Sequence, residues 1–173
     1  CLFSIMITTS DVIHLIIIYK KVQVIMTNQP YTQQLEEFKG RVAIITGNGK
    51  SFCSGIDLDA IMTENLFDPR EDGTDLPDIF AACEKPIIGA VNGHAITGGF
   101  EIALNCDFLI ASENASFADT HAKVGIHPGW GMTQLLQRAV GRLRARQMSF
   151  TCQFINAQTA YEWGLVNEVV APD

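Results

Sequence analysis

Short apolar runs of strand length, each followed by a glycine turn, constrain the fold of this 173-residue chain more than any other feature. Residues 42–46 (VAIIT) precede Gly47, and residues 86–91 (PIIGAV) precede Asn92-Gly93. Neither run alternates with polar residues, a pattern typical of parallel strands that are buried on both faces. A further strand and three helical segments are predicted at residues 107–111, 100–105, 133–140 and 157–163. The alternation of strands and helices predicts an α/β protein.

Composition excludes several classes of protein. With 47% apolar and 18% charged residues, the chain is typical of a globular protein, and its length fits one domain over residues 1–173. Twelve basic and nineteen acidic residues give a net charge of -7, which repels phosphate groups and argues against a nucleic-acid partner. The five cysteines form no C-x-x-C pair, which argues against a zinc site or a disulfide framework. This cysteine pattern favours a cytoplasmic location, with mitochondria or peroxisomes as alternatives in a eukaryote.

Residues 1–26 are the most apolar stretch of the chain. A membrane helix needs about 20 consecutive apolar residues, but residues 8–11 are polar, and Lys20 and Lys21 end the run. Its many β-branched residues favour two buried strands instead. We therefore expect no stable association with a membrane.

The string at residues 46–58, TGNGKSFCSGIDL, contains Gly-Lys-Ser and is first tested as a phosphate-binding loop. That motif requires another glycine five residues before Gly49, and this position is Ile44, inside the predicted strand. The phosphate-loop interpretation is therefore excluded. A tight turn at Gly55 can instead direct the N–H group of Ile56 into a cleft.

A second string, at residues 86–107, reads PIIGAVNGHAITGGFEIALNCD. Gly98 and Gly99 open its predicted helix, so their unpaired N–H groups lie at the positive end of the helix dipole. Glu101 falls in the first turn of this helix. The dipole alone can favour a carboxylate at that position.

Taken together, the two strings resemble the two signatures of the enoyl-CoA hydratase/isomerase (crotonase) superfamily, G-x-G-x-x-F-x-x-G-x-D-L and P-x-I-A-x-V-x-G-x-A-x-G-G-G-x-E-L-A-x-x-C-D. Thr97 stands in place of the first glycine of the second signature. Residues 117–131 and 147–170 resemble later segments of the family, so the resemblance covers residues 41–173 and leaves 1–40 as an atypical N-terminal segment. It implies an α/β spiral of β-β-α units with an abbreviated N-terminal region and without the family's C-terminal helices.

The resemblance also implies roles for individual residues. The N–H groups of Ile56 and Gly98 correspond to the two donors that stabilise a thioester enolate, and Glu101 corresponds to the main acid/base. His121 stands at the position of the second family glutamate, where it either assists catalysis or only hydrogen-bonds in the cleft. Asp119, two residues earlier, is the other candidate for the assisting group. The remaining implied substrate-binding residues are Ser54, Gly55, Asp57, Leu58, Gly99, Pro128, Gly129 and Trp130.

The implied activity is reversible addition of water to a trans-2-enoyl-CoA, with no metal and no cofactor beyond the coenzyme A of the substrate. Two alternatives remain open. One is a double-bond isomerase in which Glu101 alone moves the proton, and the other is a non-catalytic paralogue or fragment that binds acyl-CoA. The family further implies a homotrimer or homohexamer, whose contacts would lack the missing C-terminal helices.

Overall fold

The computed structural model describes residues 42–57, 73 and 75–172. The strands predicted within residues 1–26, the N-terminal segment 1–40 and Leu58 lie outside the described residues. The strands are β1 (Ala43–Thr46), β2 (Ser51–Cys53), β3 (Ile87–Val91), β4 (His94–Ile96), β5 (Phe108–Ser112), β6 (Ser116–Ala118), β7 (Ile155–Asn156) and β8 (Glu168–Val170). The helices are α1 (Leu76–Ala81), α2 (Gly98–Leu104), α3 (His121–Val124), α4 (Met132–Val140), α5 (Arg142–Thr151) and α6 (Ala157–Glu162).

The strands form two four-stranded sheets, and the chain contributes strands to both sheets in turn. The first sheet has the order β1-β3-β5-β8 and is parallel throughout. The second has the order β2-β4-β6-β7, in which β2, β4 and β6 are parallel and β7 is antiparallel to β6. Each successive pair of strands gives one strand to each sheet, and a helix follows the pairs β3-β4 and β5-β6. The predicted α/β fold with β-β-α units is confirmed.

The core lies where these sheets meet the helices. In β3 the residues Ile87, Gly89 and Val91 are buried, and an added Cβ at Gly89 would lie 2.4 Å from Leu109 Cδ2, so the neighbouring strand packs directly against this backbone. The rings of Phe100 and Phe117 are fully buried with centroids 5.5 Å apart. Burying one such ring contributes about 1.5–3 kcal/mol. These two rings join α2, which carries Glu101, to β6, which precedes Asp119 and His121.

The polar sequence of residues 68–78, which contains two prolines and a glycine, predicts a loop, but helix α1 begins within it at Leu76. Asp75 caps this helix, since its side chain accepts a hydrogen bond from Leu76 N at 2.6 Å. The Asp78 side chain accepts one from Asp75 N at 3.1 Å, which completes a capping box. Pro77 does not oppose the helix, because proline is tolerated in a first turn. The loop prediction is therefore wrong from Leu76 onward.

Within the part of the chain that the structure describes, no helix combines the length and the apolar character needed to cross a bilayer.

Candidate active site

The candidate site lies at one edge of the second sheet. Because β2, β4 and β6 are parallel neighbours, the segments that follow their carboxyl ends meet on the same side. These segments are the turn at residues 54–57, the start of helix α2 at Gly98, and the Asp119–His121 turn. The fold thus brings together residues that lie far apart in the sequence.

The turn at residues 54–57 lies directly against the start of α2. Gly55 has φ +98°, and a Cβ added there would lie 3.2 Å from Ile96 O and 3.5 Å from Gly98 N. A Cβ added at Gly98 would lie 3.6 Å from Ile56 Cγ1. Ile56 and Gly98, the two predicted oxyanion donors, are therefore neighbours.

The first amides of α2 precede the first hydrogen bond of the helix. Thr97 O accepts from Phe100 N and from Glu101 N, each at 3.0 Å. The N–H groups of Gly98 and Gly99 come earlier, where a helix offers no internal acceptor. Such groups are suited to bind an anionic oxygen.

Thr97 adopts a backbone conformation that normally requires glycine, with φ 56° and ψ -118°. Two contacts hold it there. Its N–H group donates to Ala118 O at 2.9 Å, and its hydroxyl is hydrogen-bonded to the hydroxyl of Thr120. Thr97 precedes Gly98 and Thr120 precedes His121, so this hydroxyl pair connects the two halves of the site.

The hydroxyl pair can be tested by a double-mutant cycle. Thr97→Val and Thr120→Val each keep the β-branched shape but remove the hydroxyl, so each is expected to lower the free energy of unfolding by about 1 kcal/mol. The double variant is expected to lose little more than either single variant, because both remove the same bond. Urea unfolding of the four proteins measures the coupling. Fully additive losses would show that the two hydroxyl groups do not interact.

Glu101 is 2% exposed and is held by the turn that leads into α4. Its Oε1 accepts hydrogen bonds from Trp130 N at 2.8 Å and from Met132 N at 3.0 Å. Asn105 fastens this turn to α2, since its Nδ2 donates to Trp130 O and to Glu101 O, both at 2.8 Å. The carboxylate is thus bound by a distant turn and not only favoured by the dipole of its own helix. Its second oxygen, Oε2, remains directed at His121.

His121, 5% exposed, lies between two carboxylates. Its Nε2 is 3.4 Å from Glu101 Oε2, and its Nδ1 is 2.7 Å from Asp119 Oδ1. The backbone N–H of His121 also donates to Asp119 Oδ1, at 3.2 Å. Asp119 is itself 2% exposed, and its Oδ2 accepts a hydrogen bond from Ser149 Oγ at 2.6 Å. The four side chains form one continuous series from α5 to α2.

This arrangement determines the charges of its members. Burial alone would raise the pKa of Asp119, but the hydrogen bonds from His121 and Ser149 outweigh it and hold this pKa below its ordinary value. Burial likewise opposes the charge of His121, yet the hydrogen bonds and negative charges of Asp119 and Glu101 raise its pKa to about 9. His121 is therefore an imidazolium at neutral pH.

The other predicted substrate-binding residues differ in how deeply they are buried. Ser54, Asp57 and Gly129 are exposed, Pro128 is half-buried, and Gly99 is buried. Trp130 is also buried, and its ring lies over the helix start, because a Cβ added at Gly98 would be 3.0 Å from its Cζ3. Among the described residues, no group of His, Cys, Asp and Glu side chains is arranged to hold a metal ion.

Ser149 is the member of the site that sequence reasoning missed. It lies in α5, within the family-like segment 147–170 but without a role implied by the resemblance, and a serine in a helix carries no distinguishing signal. The partial burial of Ser149 beside the buried Met148 becomes visible only in the folded chain.

The fold agrees with the comparison to known families. The family model described as enoyl-CoA hydratase/isomerase matches residues 28–173, and the chain belongs to this family.

Individual relatives are similar over three quarters of this chain. The chain is 48% identical over 130 residues to the probable enoyl-CoA hydratase 1, peroxisomal, of Arabidopsis thaliana, covering 75% of this chain and 49% of that protein. It is 46% identical over 134 residues to the crotonyl-CoA hydratase of Syntrophomonas wolfei, covering 75% and 52%. The chain thus spans about half the length of the curated relatives it matches.

Solved structures support the same fold. An enoyl-CoA hydratase from Mycobacterium tuberculosis superimposes with a TM-score of 0.61 at 45% identity, covering 75% of this chain and 52% of that one. An enoyl-CoA hydratase from Bacillus anthracis gives a TM-score of 0.68 at 41% identity, covering 81% and 56%.

Proposed function

We propose that this chain catalyses the reversible addition of water to a trans-2-enoyl-CoA thioester. The observation that carries the proposal is the separation of 3.4 Å between Glu101 Oε2 and His121 Nε2, both on buried side chains. One water molecule at ordinary hydrogen-bond lengths of about 2.8 Å can contact both atoms at once. Relatives with hydratase names over three quarters of the chain support the same reaction.

Glu101 is the base in this mechanism. It accepts a proton from the water as the water oxygen bonds to C3 of the enoyl chain, and the electron pair of the double bond moves into the thioester. The resulting enolate oxygen receives hydrogen bonds from the N–H groups of Ile56 and Gly98. Each such donor contributes about 3 kcal/mol to lowering the barrier.

His121 is the acid that completes the addition. As an imidazolium it transfers its Nε2 proton to C2 of the enolate, which yields the 3-hydroxyacyl thioester and a neutral imidazole. The proton held by Glu101 then returns to His121 across the 3.4 Å contact and restores both groups. The same steps in reverse remove water. Hydration therefore needs only an acid and a base of opposite charge next to two amide donors.

The direct test follows the absorbance of the conjugated enoyl group of crotonyl-CoA after the protein is added. Loss of this band, with 3-hydroxybutyryl-CoA as the product, is the expected result. A parallel measurement in D2O follows deuterium incorporation at C2 of butyryl-CoA, which requires the enolate but no double bond.

The combined results distinguish hydration from its alternatives. Exchange at C2 without hydration, together with a gain of the band from a 3-enoyl-CoA, would replace hydration by double-bond isomerisation. Absence of both exchange and hydration, with retained binding of butyryl-CoA, would leave a protein that only binds acyl-CoA.

A further inference from the structure

We infer that Asp119 and Ser149 form a positioning pair that orients His121 from behind and holds its Nδ1–H away from the substrate. The inference rests on the proposed function, in which His121 is the acid. It revises the sequence-based expectation that Asp119 is an alternative catalytic group. Ser149 has no role in the family resemblance and is added by the structure.

The hydrogen bonds of Asp119 exclude it from direct chemistry. Oδ1 accepts from His121 Nδ1 at 2.7 Å and from the His121 backbone N–H at 3.2 Å, while Oδ2 accepts from Ser149 Oγ at 2.6 Å. Both carboxylate oxygens are therefore engaged by groups of the protein. Glu101 lies on the other side of the imidazole, in contact with Nε2. Asp119 thus acts on the reaction only through His121.

Ser149 holds the Asp119 carboxylate in place, and this carboxylate in turn holds the His121 ring. With Oδ1 bound twice to His121, Asp119 can still rotate about this contact unless its other oxygen is held. The Ser149 hydroxyl supplies that restraint from α5, a different element from α3. The side chain of Met148, which is fully buried beside Ser149, anchors this part of α5 in the core. The orientation of the His121 ring therefore depends on α3, which carries His121, on the turn that carries Asp119, and on α5, which carries Ser149.

The groups that face His121 explain why the pair matters for acid chemistry. Glu101 from α2 and Asp119 from the preceding turn are the charged groups in contact with the ring, and Ser149 from α5 adds a neutral donor to Asp119. A carboxylate held at Nδ1 stabilises the imidazolium and keeps the Nε2 proton directed towards Glu101. The pKa of His121 near 9 agrees with this geometry.

The pair is tested by NMR titration of His121 in the full 173-residue chain. The unchanged protein is expected to show a slowly exchanging Nδ1 proton and a midpoint near pH 9. In Asp119→Asn the midpoint is expected to fall by about 2 pH units toward that of an ordinary histidine. Ser149→Ala is expected to make the Nδ1 proton exchange faster, and Ser149→Thr, which retains the hydroxyl, to restore it. Thr151→Ala, an exposed hydroxyl on the same helix, is the matched control.

Turnover provides the second measurement. With crotonyl-CoA, Asp119→Asn is expected to reduce kcat about 100-fold at neutral pH and Ser149→Ala about 10-fold, with little change in KM, because neither residue touches substrate. An unchanged His121 titration in Asp119→Asn, or an unchanged Nδ1 signal and kcat in Ser149→Ala, would overturn the inference. If the unchanged protein hydrates nothing while the titrations behave as expected, the proposed function fails and the positioning pair stands.

Discussion

Replacing Glu101 by Gln is expected to lower kcat for crotonyl-CoA hydration by about 10²–10⁴-fold, the contribution of a well-placed acid–base group. The amide retains an oxygen that can accept from Trp130 N and Met132 N, so the turn that holds residue 101 is preserved. It cannot take a proton from water. The reaction therefore loses its base while the surrounding fold is kept.

The same substitution has a second consequence that needs no substrate. Without the negative charge of Glu101, one of the groups that raise the pKa of His121 is lost, and this pKa is expected to fall below 9. The control is Glu113→Gln, which removes an exposed carboxylate from the end of β5 and is expected to leave both kcat and the His121 titration unchanged. Full activity in Glu101→Gln would remove Glu101 from the mechanism.

Gly99→Ala is expected to lower the free energy of unfolding by about 3 kcal/mol, at the upper end of the usual cost of overpacking. A Cβ at this position would lie 2.1 Å from Cys53 O and 2.5 Å from Cys53 Sγ. The carbonyl belongs to the backbone of β2, so relief requires α2 to move away from the strand. That movement would also separate Gly98 from Ile56, and hydration is expected to fall with stability.

Gly125→Ala is the matched comparison for this loss. Gly125 has φ +74° and nothing within 4 Å of an added Cβ, so alanine meets only the cost of a left-handed backbone there. That cost is about 1 kcal/mol. Urea unfolding of both variants separates the steric contribution from the conformational one. Equal losses would show that close packing of Gly99 against Cys53 is not important.

The sequence predicted the central strands and the glycine-opened helix, and physical reasons explain why. Residues 42–46 and 86–91 are continuous apolar runs bounded by turns, and both form parallel strands at nearly the predicted bounds, with buried and half-buried residues in alternation. Helix α1 was missed because Pro77 and neighbouring polar residues resemble a loop. The capping bonds between Asp75 and Asp78 outweigh that local signal.

The candidate site was only partly accessible from sequence. Glu101 and His121 were identified through the family resemblance, but their contact could not be derived from spacing, since it depends on the register of β4 and β6. The orientation of Asp119 depends on Ser149, which reaches it from a separate helix. A hydrogen bond between residues so far apart in sequence leaves no local pattern. The assignment of roles to these residues remains a prediction that the variants above can test.

Because the chain adds strands alternately to two sheets, this architecture can change the residues of its candidate site one segment at a time. The turn after β2 supplies Ile56, the segment after β4 supplies Gly98 and Glu101, and the segment after β6 supplies Asp119 and His121. Each pair of strands therefore places its own candidate site residues at a shared edge, while the sheets that support them stay the same. A substitution in one of these segments can replace a carboxylic acid by a cationic acid and leave the other segments in place. A new reaction on this scaffold therefore requires a change in one segment and in the side chains that contact it, and no change of fold.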